Sequence, residues 1–174
     1  MNRVLILYST VDGQTRHIAG QIQARLEALG QQVTTAELSQ GAALLANADR
    51  VIIGASIRYG KFLPELMAFI TANQDALSRL PSAFYCVNLV ARKANKNTPD
   101  TNPYMVKFVQ QSPWKPTLLG VFAGKLNYPI YRFWDRQIIR FIMWVTKGPT
   151  QPDTVVEYTD WGEVERFADR FAAL

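Results

Sequence analysis

Cysteine and histidine are almost absent from this sequence, whose 174 residues include one Cys and one His. A single Cys excludes a disulfide framework, and one Cys with one His provides too few ligands for a zinc site of the usual Cys and His kind. No stretch resembles a membrane-spanning helix, which needs about 20 predominantly apolar residues. The first residues, Met1-Asn2-Arg3 and then an apolar run, lack the layout of a signal peptide and predict a cytosolic location.

Acidic residues are scarce relative to basic ones, with 14 Asp and Glu against 19 Lys and Arg, a net charge of +5. The excess is uneven, because residues 86–152 contain ten basic residues and only two acidic ones, Asp100 and Asp135. This composition predicts an anionic partner: nucleic acid, an anionic lipid surface or an acidic small molecule. A basic face that contacts only solvent would have the same composition. Apolar residues make up 48% of the chain, enough for one sizeable core.

Short apolar runs alternate with segments of helical periodicity along the chain. The predicted strands cover residues 3–8, 33–38, 51–55, 83–88 and 118–123. The predicted helices cover residues 15–29, a segment that begins at Pro64, residues 103–111, and residues 160–173, where Asp160 and Glu163 suit a capping box. This alternation predicts an α/β fold in one domain over residues 1–174, a doubly wound, five-stranded parallel sheet with helices on both faces.

Ligands of a doubly wound sheet bind beyond the carboxyl ends of the strands, where the strand order reverses. The loop after the first strand leads into a helix, and it consists of Ser9, Thr10, Val11, Asp12, Gly13, Gln14 and Thr15. Hydroxyl groups and a Gly at a helix N-terminus are typical of an anion-binding site, since free backbone N–H groups and the helix dipole favour negative charge. An ordinary capped turn is the alternative, and neither a P-loop nor a three-glycine dinucleotide motif is present.

This first loop resembles the phosphate loop of flavodoxins, Thr-x-Thr-Gly-x-Thr, in its position and in Thr10, Gly13 and Thr15. It departs from that pattern at Asp12, where flavodoxins have a hydroxyl residue. Because a carboxylate would repel a phosphate, we expect Asp12 to point away from the ligand or to cap the helix.

Two further loops extend the resemblance. The loop after the third strand contains Ser56, Ile57, Arg58, Tyr59 and Gly60, and the loop after the fourth contains Asn88, Leu89, Val90 and Ala91. Together with residues 158–161 (Tyr-Thr-Asp-Trp), these loops make the chain similar, over nearly its whole length, to the flavodoxin-like, quinone-dependent protoporphyrinogen IX dehydrogenases of bacterial haem biosynthesis.

The resemblance implies a flavodoxin-like fold and an FMN enzyme that oxidises protoporphyrinogen IX to protoporphyrin IX and passes the electrons to a membrane quinone, menaquinone or ubiquinone. It implies that the first loop surrounds the FMN phosphate, that the second flanks the flavin ring and that the third covers the other edge of the ring. Tyr59 is suited to stacking on a flavin, although it could instead pack on the next helix. Arg58 could stabilise a reduced flavin or bind a substrate carboxylate, or it could contact only solvent.

No residue of the sequence is an obvious general base. We expect His17 to be a surface or capping residue and Cys86 to be an inert core thiol, so the flavin would carry the chemistry. Protoporphyrinogen has two propionates on an apolar macrocycle, and its site should combine cations with aromatic surface. The candidate substrate residues are Arg58, Arg92, Lys93, Lys125, Tyr128 and Trp134.

An insertion at about residues 124–154 has no counterpart in an ordinary flavodoxin. Its pattern predicts an amphipathic helix over residues 129–146 that Pro129 opens and Gly148-Pro149 ends. An arginine stripe beside an apolar face suits a helix at a membrane surface, so we expect a peripheral protein on anionic lipid at the cytoplasmic face of the inner membrane. The candidate membrane-facing residues are Arg132, Trp134, Arg136, Arg140, Phe141 and Trp144. Alternatively, the apolar face packs on the sheet or on a second copy of the chain.

Three other functions are compatible with parts of the sequence. A flavodoxin electron carrier shares the loops, but such carriers that dock on basic partners are usually acidic, unlike this chain. An NAD(P)H:quinone reductase on the same fold is a second alternative. A nucleic-acid-binding adaptor fits the charge alone and does not explain three flavin-type loops, so we expect no nucleic-acid partner.

Overall fold

Strands and helices alternate through residues 2–174, which the computed structural model describes. The strands are β1 (Arg3–Ser9), β2 (Gln32–Glu37), β3 (Arg50–Arg58), β4 (Lys61–Phe62), β5 (Ser82–Asn88), β6 (Leu118–Ala123), β7 (Lys125–Asn127) and β8 (Val155–Glu157). The helices are α1 (Gln14–Ala28), α2 (Gly41–Leu45), α3 (Pro64–Ala72), α4 (Gln74–Arg79), α5 (Pro103–Gln111), α6 (Phe133–Val145) and α7 (Trp161–Ala172).

The main sheet contains five parallel strands in the order β2-β1-β3-β5-β6. The chain moves from β1 outwards to β2 and then returns to the other side of β1 at β3, so the strand order reverses between β1 and β3. The predicted doubly wound architecture is therefore confirmed. In folds of this order, the reversal places a crevice at the carboxyl ends of β1 and β3.

Both faces of this sheet are buried, as the apolar strand sequences predicted. On β1, Leu5 and Leu7 face one side, and Val4 and Ile6 face the other. Helices α3 and α5 help to cover the first side, and α1 and α7 cover the second. Burial on two faces is characteristic of parallel sheets, and it leaves the loops at the strand ends as the place for a ligand.

The short strand β4 was not predicted, and it makes a hairpin with the end of β3. Tyr59 and Gly60 form the two-residue loop, with φ angles of 51° and 75°. Positive φ at both central positions is the signature of a type I′ turn, which matches the twist of the paired strands. Gly60 adopts this conformation freely, whereas the side chain of Tyr59 makes it unfavourable by about 1–2 kcal/mol. The turn thereby fixes Tyr59 beside the carboxyl end of the sheet.

The insertion is a helix held between the strands of an antiparallel ribbon, β7 and β8. The predicted helix start is wrong, because Pro129 lies in a 3₁₀ turn and α6 begins at Phe133. The Tyr128 hydroxyl donates a hydrogen bond to the Pro149 carbonyl at 2.6 Å, which anchors that turn. At the other end, Lys147 is the left-handed residue (φ 59°), and Gly148 N donates to Met143 O as in a Schellman motif.

The cap of α7 is half of the predicted capping box. Asp160 Oδ1 accepts a hydrogen bond from the Glu163 backbone N–H at 3.2 Å. In the predicted box, the Glu163 side chain would reach back to the Asp160 backbone. Instead, the Glu163 carboxylate pairs with Arg166, one turn further along α7, at 2.6 Å. Among the helices of residues 2–174, none has the length and apolar character needed to cross a bilayer.

Candidate flavin site

A cleft opens at the carboxyl ends of β1, β3 and β5, and all three predicted loops contribute to its walls. From the first loop, the lining residues are Thr10, Val11, Asp12, Gln14 and Thr15. Ser9 and Gly13, which the resemblance placed around a phosphate, do not line it. Ser9 is buried, and its hydroxyl donates to a Glu65 carboxylate oxygen at 2.6 Å because β1 extends through this residue.

The N-terminus of α1 points its free polar groups towards this cleft. Gly13 is the N-cap residue with φ 92°, and no side chain caps the helix. Its N–H donates to Thr10 Oγ1 at 3.0 Å, and the first turn contains no acidic residue. The Thr15 hydroxyl is buried in this turn and has no hydrogen-bond partner within residues 2–174. A buried hydroxyl beside uncapped helix amides is suited to an anion.

The second loop lies entirely on the cleft, from Ser56 to Gly60. Ser56 Oγ and Arg58 Nη1 are buried, and neither atom has a hydrogen-bond partner in the described part of the chain. Buried polar side-chain atoms in folded proteins are nearly always paired. Only four side-chain atoms of residues 2–174 are buried without a partner, and three of them, including that of Thr15, line this one cleft. The cleft therefore has the donors and acceptors of a polar ligand site.

Arg58 forms an ion pair with Asp12 across the cleft, with Nη2 and Oδ1 2.8 Å apart. The prediction that Asp12 caps the helix is wrong, because no side chain caps α1, whereas its direction relative to a ligand stays a prediction. The guanidinium neutralises this carboxylate. Partial burial raises the pKa of Asp12, the Arg58 charge lowers it, and the nearby Asp135 raises it further. The Arg58 guanidinium also lies 5.5 Å from the ring of Tyr59 and 5.6 Å from that of Tyr131.

The third loop contributes Asn88, Leu89 and Val90 to the cleft, while Ala91 is buried outside it. The Asn88 side chain holds the turn together, because its Oδ1 accepts hydrogen bonds from Ala91 N at 2.9 Å and from Asn102 Nδ2 at 3.1 Å. Asn102 also caps α5, a role that the Asn-Pro pair at the helix start could have suggested. Cys86 is buried and contacts this network, so its predicted place in the core is confirmed, and its inertness stays a prediction.

Of the six substrate candidates, Arg58, Arg92 and Lys125 line the cleft. The structure corrects the prediction for Tyr128, which is buried under the insertion, and places neither Lys93 nor Trp134 on the cleft. Arg92 uses its guanidinium on backbone carbonyls, those of Leu89 at 2.8 Å and Thr146 at 3.0 Å. The Lys125 ammonium has neither an ion pair nor a hydrogen bond with any described residue. It is therefore a cation available to an anionic ligand.

A family model, described as a flavodoxin domain, matches residues 5–153. The fold is similar to that of Megasphaera elsdenii flavodoxin, with a TM-score of 0.57 and 13% identity, covering 96% of this chain and 98% of that one. It is also similar to flavodoxin 1 from Bacillus cereus, with a TM-score of 0.55 and 11% identity, covering 98% and 97%.

Curated relatives are much more similar in sequence. A protein named protoporphyrinogen IX dehydrogenase (quinone) from Escherichia coli is 46% identical over 99% of this chain and 96% of its own length. A protein of the same name from Leishmania major is 46% identical over 99% of this chain and 75% of its own. The chain belongs to this family of flavodoxin-domain oxidoreductases. The resemblance recognised in the three loops is thus confirmed for the family, and the flavodoxin fold implies a flavin cofactor, for which this cleft is the candidate site.

The insertion builds a wall of the cleft that the sequence did not predict. Residues Tyr131, Ile139, Ile142, Met143 and Thr146 line the cleft from α6 and its flanks. The Tyr59 hydroxyl donates a hydrogen bond to the Asp135 carboxylate, which links the β3–β4 turn to α6. The insertion of this oxidoreductase is therefore part of the candidate site.

The predicted arginine stripe has a different role from the one expected. Arg136 Nε donates to the Tyr128 carbonyl at 3.2 Å, and Arg140 Nε donates to the Thr150 carbonyl at 2.7 Å. These hydrogen bonds link the loops on either side of α6 to the helix. Arg132 is exposed, whereas Arg136 and Arg140 are partly buried. The exposed face of α6 is instead apolar and consists of Phe133, Trp134, Ile138, Phe141, Ile142, Trp144 and Val145.

The segment before α7 is joined to the start of α1 beside the cleft. Gln14 Nε2 donates to Thr159 Oγ1 at 2.9 Å, and the Thr159 hydroxyl donates to the Ala123 carbonyl at 2.7 Å.

His17 is exposed and its ring lies 4.8 Å from that of Trp161, so it is a surface residue as predicted. The imidazole of His17 does not line the cleft.

Proposed function

We propose that this chain binds FMN in the cleft and oxidises protoporphyrinogen IX to protoporphyrin IX in haem biosynthesis, with a quinone as the electron acceptor. The observation that carries the proposal is the convergence of Thr15 Oγ1, Ser56 Oγ and Arg58 Nη1, three buried groups without partners, on one cleft at the strand-order reversal. The names of the 46% identical relatives supply the substrate and the acceptor.

The phosphate of FMN is expected at the start of α1. Thr10, Gln14 and Thr15 would hold it, with the uncapped first-turn amides and the positive end of the helix dipole. Asp12 does not oppose this role because Arg58 neutralises it at 2.8 Å. The absence of a dinucleotide motif from the sequence favours the mononucleotide over FAD.

The flavin ring is expected between the Ser56–Gly60 loop and the turn that follows Asn88. When bound, it supplies the redox chemistry, taking two electrons from a donor and giving them to an acceptor. Tyr59 and Leu89, which line the cleft from these two loops, would orient the ring and exclude water from it.

The substrate carboxylates need cations that are not already engaged. Lys125 has no ionic partner among residues 2–174, and Arg58 keeps one free donor, so these two residues would bind the propionates. We assign no protein residue as a general base, because the described cleft lining contains no His and its one carboxylate, Asp12, is paired with Arg58.

We also propose that the exposed apolar face of α6 contacts the cytoplasmic surface of the inner membrane. Trp134 and Trp144 are 75% and 69% exposed, and the exposed cations Arg132 and Lys147 lie just outside the ends of the helix. Aromatic side chains with basic residues at the boundary suit the headgroup region of an anionic bilayer. Because the proposed quinone acceptor is dissolved in the bilayer, binding at the membrane surface would bring the cleft close to it.

An anaerobic assay with the purified protein tests the main proposal. The protein should be yellow and release FMN on acid treatment, and it should convert protoporphyrinogen to fluorescent protoporphyrin only when a quinone is added. Rapid reduction of the flavin by NAD(P)H without porphyrinogen oxidation would identify an NAD(P)H:quinone reductase instead. A flavin that neither donor reduces, but that exchanges electrons with a redox protein, would identify an electron carrier.

A further inference from the structure

The cleft continues into an apolar seam between the Leu89–Arg92 turn and the second half of α6. We define this α6 seam by Leu89, Val90, Ile139, Ile142 and Met143, all of which line the cleft. Leu89 packs against the buried cluster that contains Ile139 and Met143, and Arg92 donates a hydrogen bond to the carbonyl of Thr146, the C-cap residue of α6. The seam offers a ligand aliphatic and thioether surface.

The polar groups beside the seam are already occupied. Arg92 donates to the carbonyls of Leu89 and Thr146 and to Thr146 Oγ1, and the Thr146 hydroxyl itself donates to the Ile142 carbonyl at 2.8 Å. Among residues 2–174, none beside the seam offers a free cation to a carboxylate, in contrast to Lys125 elsewhere on the cleft. The seam therefore suits an uncharged apolar ligand and not the propionates of a porphyrinogen.

The seam also reaches the outer surface of α6. Ile139 and Met143 are 8% and 1% exposed, whereas Ile142 lines the cleft and is 39% exposed. Ile142 thus belongs both to the cleft and to the exposed apolar face that includes Phe141 and Val145. An apolar molecule that leaves a bilayer at this face would meet a continuous apolar route to the cleft.

From this arrangement we infer that the α6 seam binds the quinone acceptor, with its isoprenoid tail along α6 and its ring towards the cleft. The inference rests on the proposed function and adds a location for the acceptor that is separate from the substrate cations. Each quinone takes up two electrons and two protons and leaves as the quinol. The electrons are those that the porphyrinogen loses, and the protons balance those that it releases.

The test compares Ile142→Ser with Ile138→Ser in the flavin-loaded protein without vesicles. Ile138 is 44% exposed on the same helix but does not line the cleft, so it is the matched control. Equilibrium binding of a short-tailed ubiquinone and the rate of reoxidation of photoreduced protein are both measured. We expect Ile142→Ser to weaken quinone binding and raise its KM roughly five- to tenfold, as for the loss of one partly buried aliphatic side chain. Ile138→Ser and Ile142→Phe should retain the wild-type values.

Flavin reduction by protoporphyrinogen is measured separately; it should be unchanged in Ile138→Ser, and in Ile142→Ser it should fall less than quinone binding does. Unchanged quinone binding in Ile142→Ser, or an equal loss in Ile138→Ser, would overturn the inference. A loss confined to porphyrinogen reduction would assign the seam to the substrate and also overturn it. If wild-type protein is not reduced by porphyrinogen but its quinone binding still depends on Ile142, the proposed function fails while the seam remains a quinone site.

Discussion

The Tyr59 hydroxyl donates a hydrogen bond to the Asp135 carboxylate, so the β3–β4 turn is joined to the first turn of α6. The Arg58 guanidinium lies over the rings of both Tyr59 and Tyr131. Because Tyr131 directly precedes Arg132, the N-cap residue of α6, this contact is a second link between the turn and the insertion. These contacts hold the insertion over the mouth of the cleft. We expect ligand access to depend on how firmly the insertion is attached to the second loop.

Replacement of Tyr59 by Phe removes the hydroxyl and retains the ring. We expect amide hydrogen exchange in α6 to become roughly fivefold faster, since one hydrogen bond contributes about 1 kcal/mol. FMN affinity should change little because the ring still covers the cleft. Mass spectrometry of peptides from residues 128–146 measures the exchange, and Tyr104→Phe, also on the cleft but on α5, is the control. Equal exchange in wild type and Tyr59→Phe would show that the contact does not hold α6.

Thr15 allows a test in which ligand binding and stability change in opposite directions. Its hydroxyl is buried without a partner in residues 2–174, so Thr15→Val should leave the unfolding free energy of the flavin-free protein unchanged or raise it slightly. FMN affinity should fall about tenfold or more, because a hydrogen bond to a charged phosphate contributes roughly 1.5–3 kcal/mol. Fluorescence titration with FMN and urea unfolding of the flavin-free protein measure the two effects.

Thr159→Val is the matched control for that experiment. The Thr159 hydroxyl is buried too, but it accepts from Gln14 and donates to Ala123. Its removal leaves the Ala123 carbonyl without this donor and should destabilise the flavin-free protein by about 1–3 kcal/mol. A comparable loss of stability in Thr15→Val would contradict the assignment of its hydroxyl to a ligand.

The sequence predicted the ligand-binding edge of the sheet better than the side chains that complete it. The predicted bounds of β6 and α5 are those observed, and the predicted loops after β1, β3 and β5 meet at one cleft. These features follow from local signals, namely apolar runs and helix caps. The direction of the Asn88 side chain follows from its contact with Asn102, which no local pattern contains.

In the insertion, the helical spacing of the residues does not determine which face of α6 is buried. Arg136 and Arg140 share a helix face with Ile139 and Met143, and that face is turned inwards. The arginines are accommodated there because the irregular loops around Tyr128 and Thr150 offer carbonyl acceptors. A helical projection separates basic from apolar residues, but it contains no information about acceptors supplied by other segments. The same limit explains why the prediction that Tyr128 contacts the substrate is wrong, since its side chain is buried.

Cys86 should be unreactive in the folded protein. Burial raises the pKa of its thiol to about 12, so only a very small fraction is thiolate near neutral pH. Iodoacetamide should label Cys86 only after the protein unfolds in urea, and Cys86→Ala should retain porphyrinogen oxidation. Rapid labelling of the native protein would show that the β5 strand opens locally.

Acid should weaken the contact between the start of β1 and Asp49. Hydrogen bonds from Arg3 lower the pKa of Asp49 from 3.8 to about 2. Because the folded-state pKa is the lower one, the pair stabilises the protein fully above pH 3.8 and loses this effect as the pH falls towards 2. Asp49→Asn should therefore show a shallower loss of stability than wild type between these values, in urea unfolding at low salt. Identical slopes would exclude this contribution, which is small because both side chains are exposed.

Membrane association should depend on the aromatic side chains of α6 and not on Arg140. Trp144→Glu places a charge on the exposed apolar face and should reduce sedimentation with anionic vesicles several-fold, with little effect on the unfolding free energy. Arg140→Gln should destabilise the insertion, because its contact with the Thr150 carbonyl is lost, and should leave vesicle binding intact where the protein is folded. Val109→Glu, on α5, controls for the added charge at another exposed apolar site. If wild-type protein is instead a dimer that ignores vesicles and Trp144→Glu makes it a monomer, the face binds a second copy of the chain and the membrane proposal is wrong.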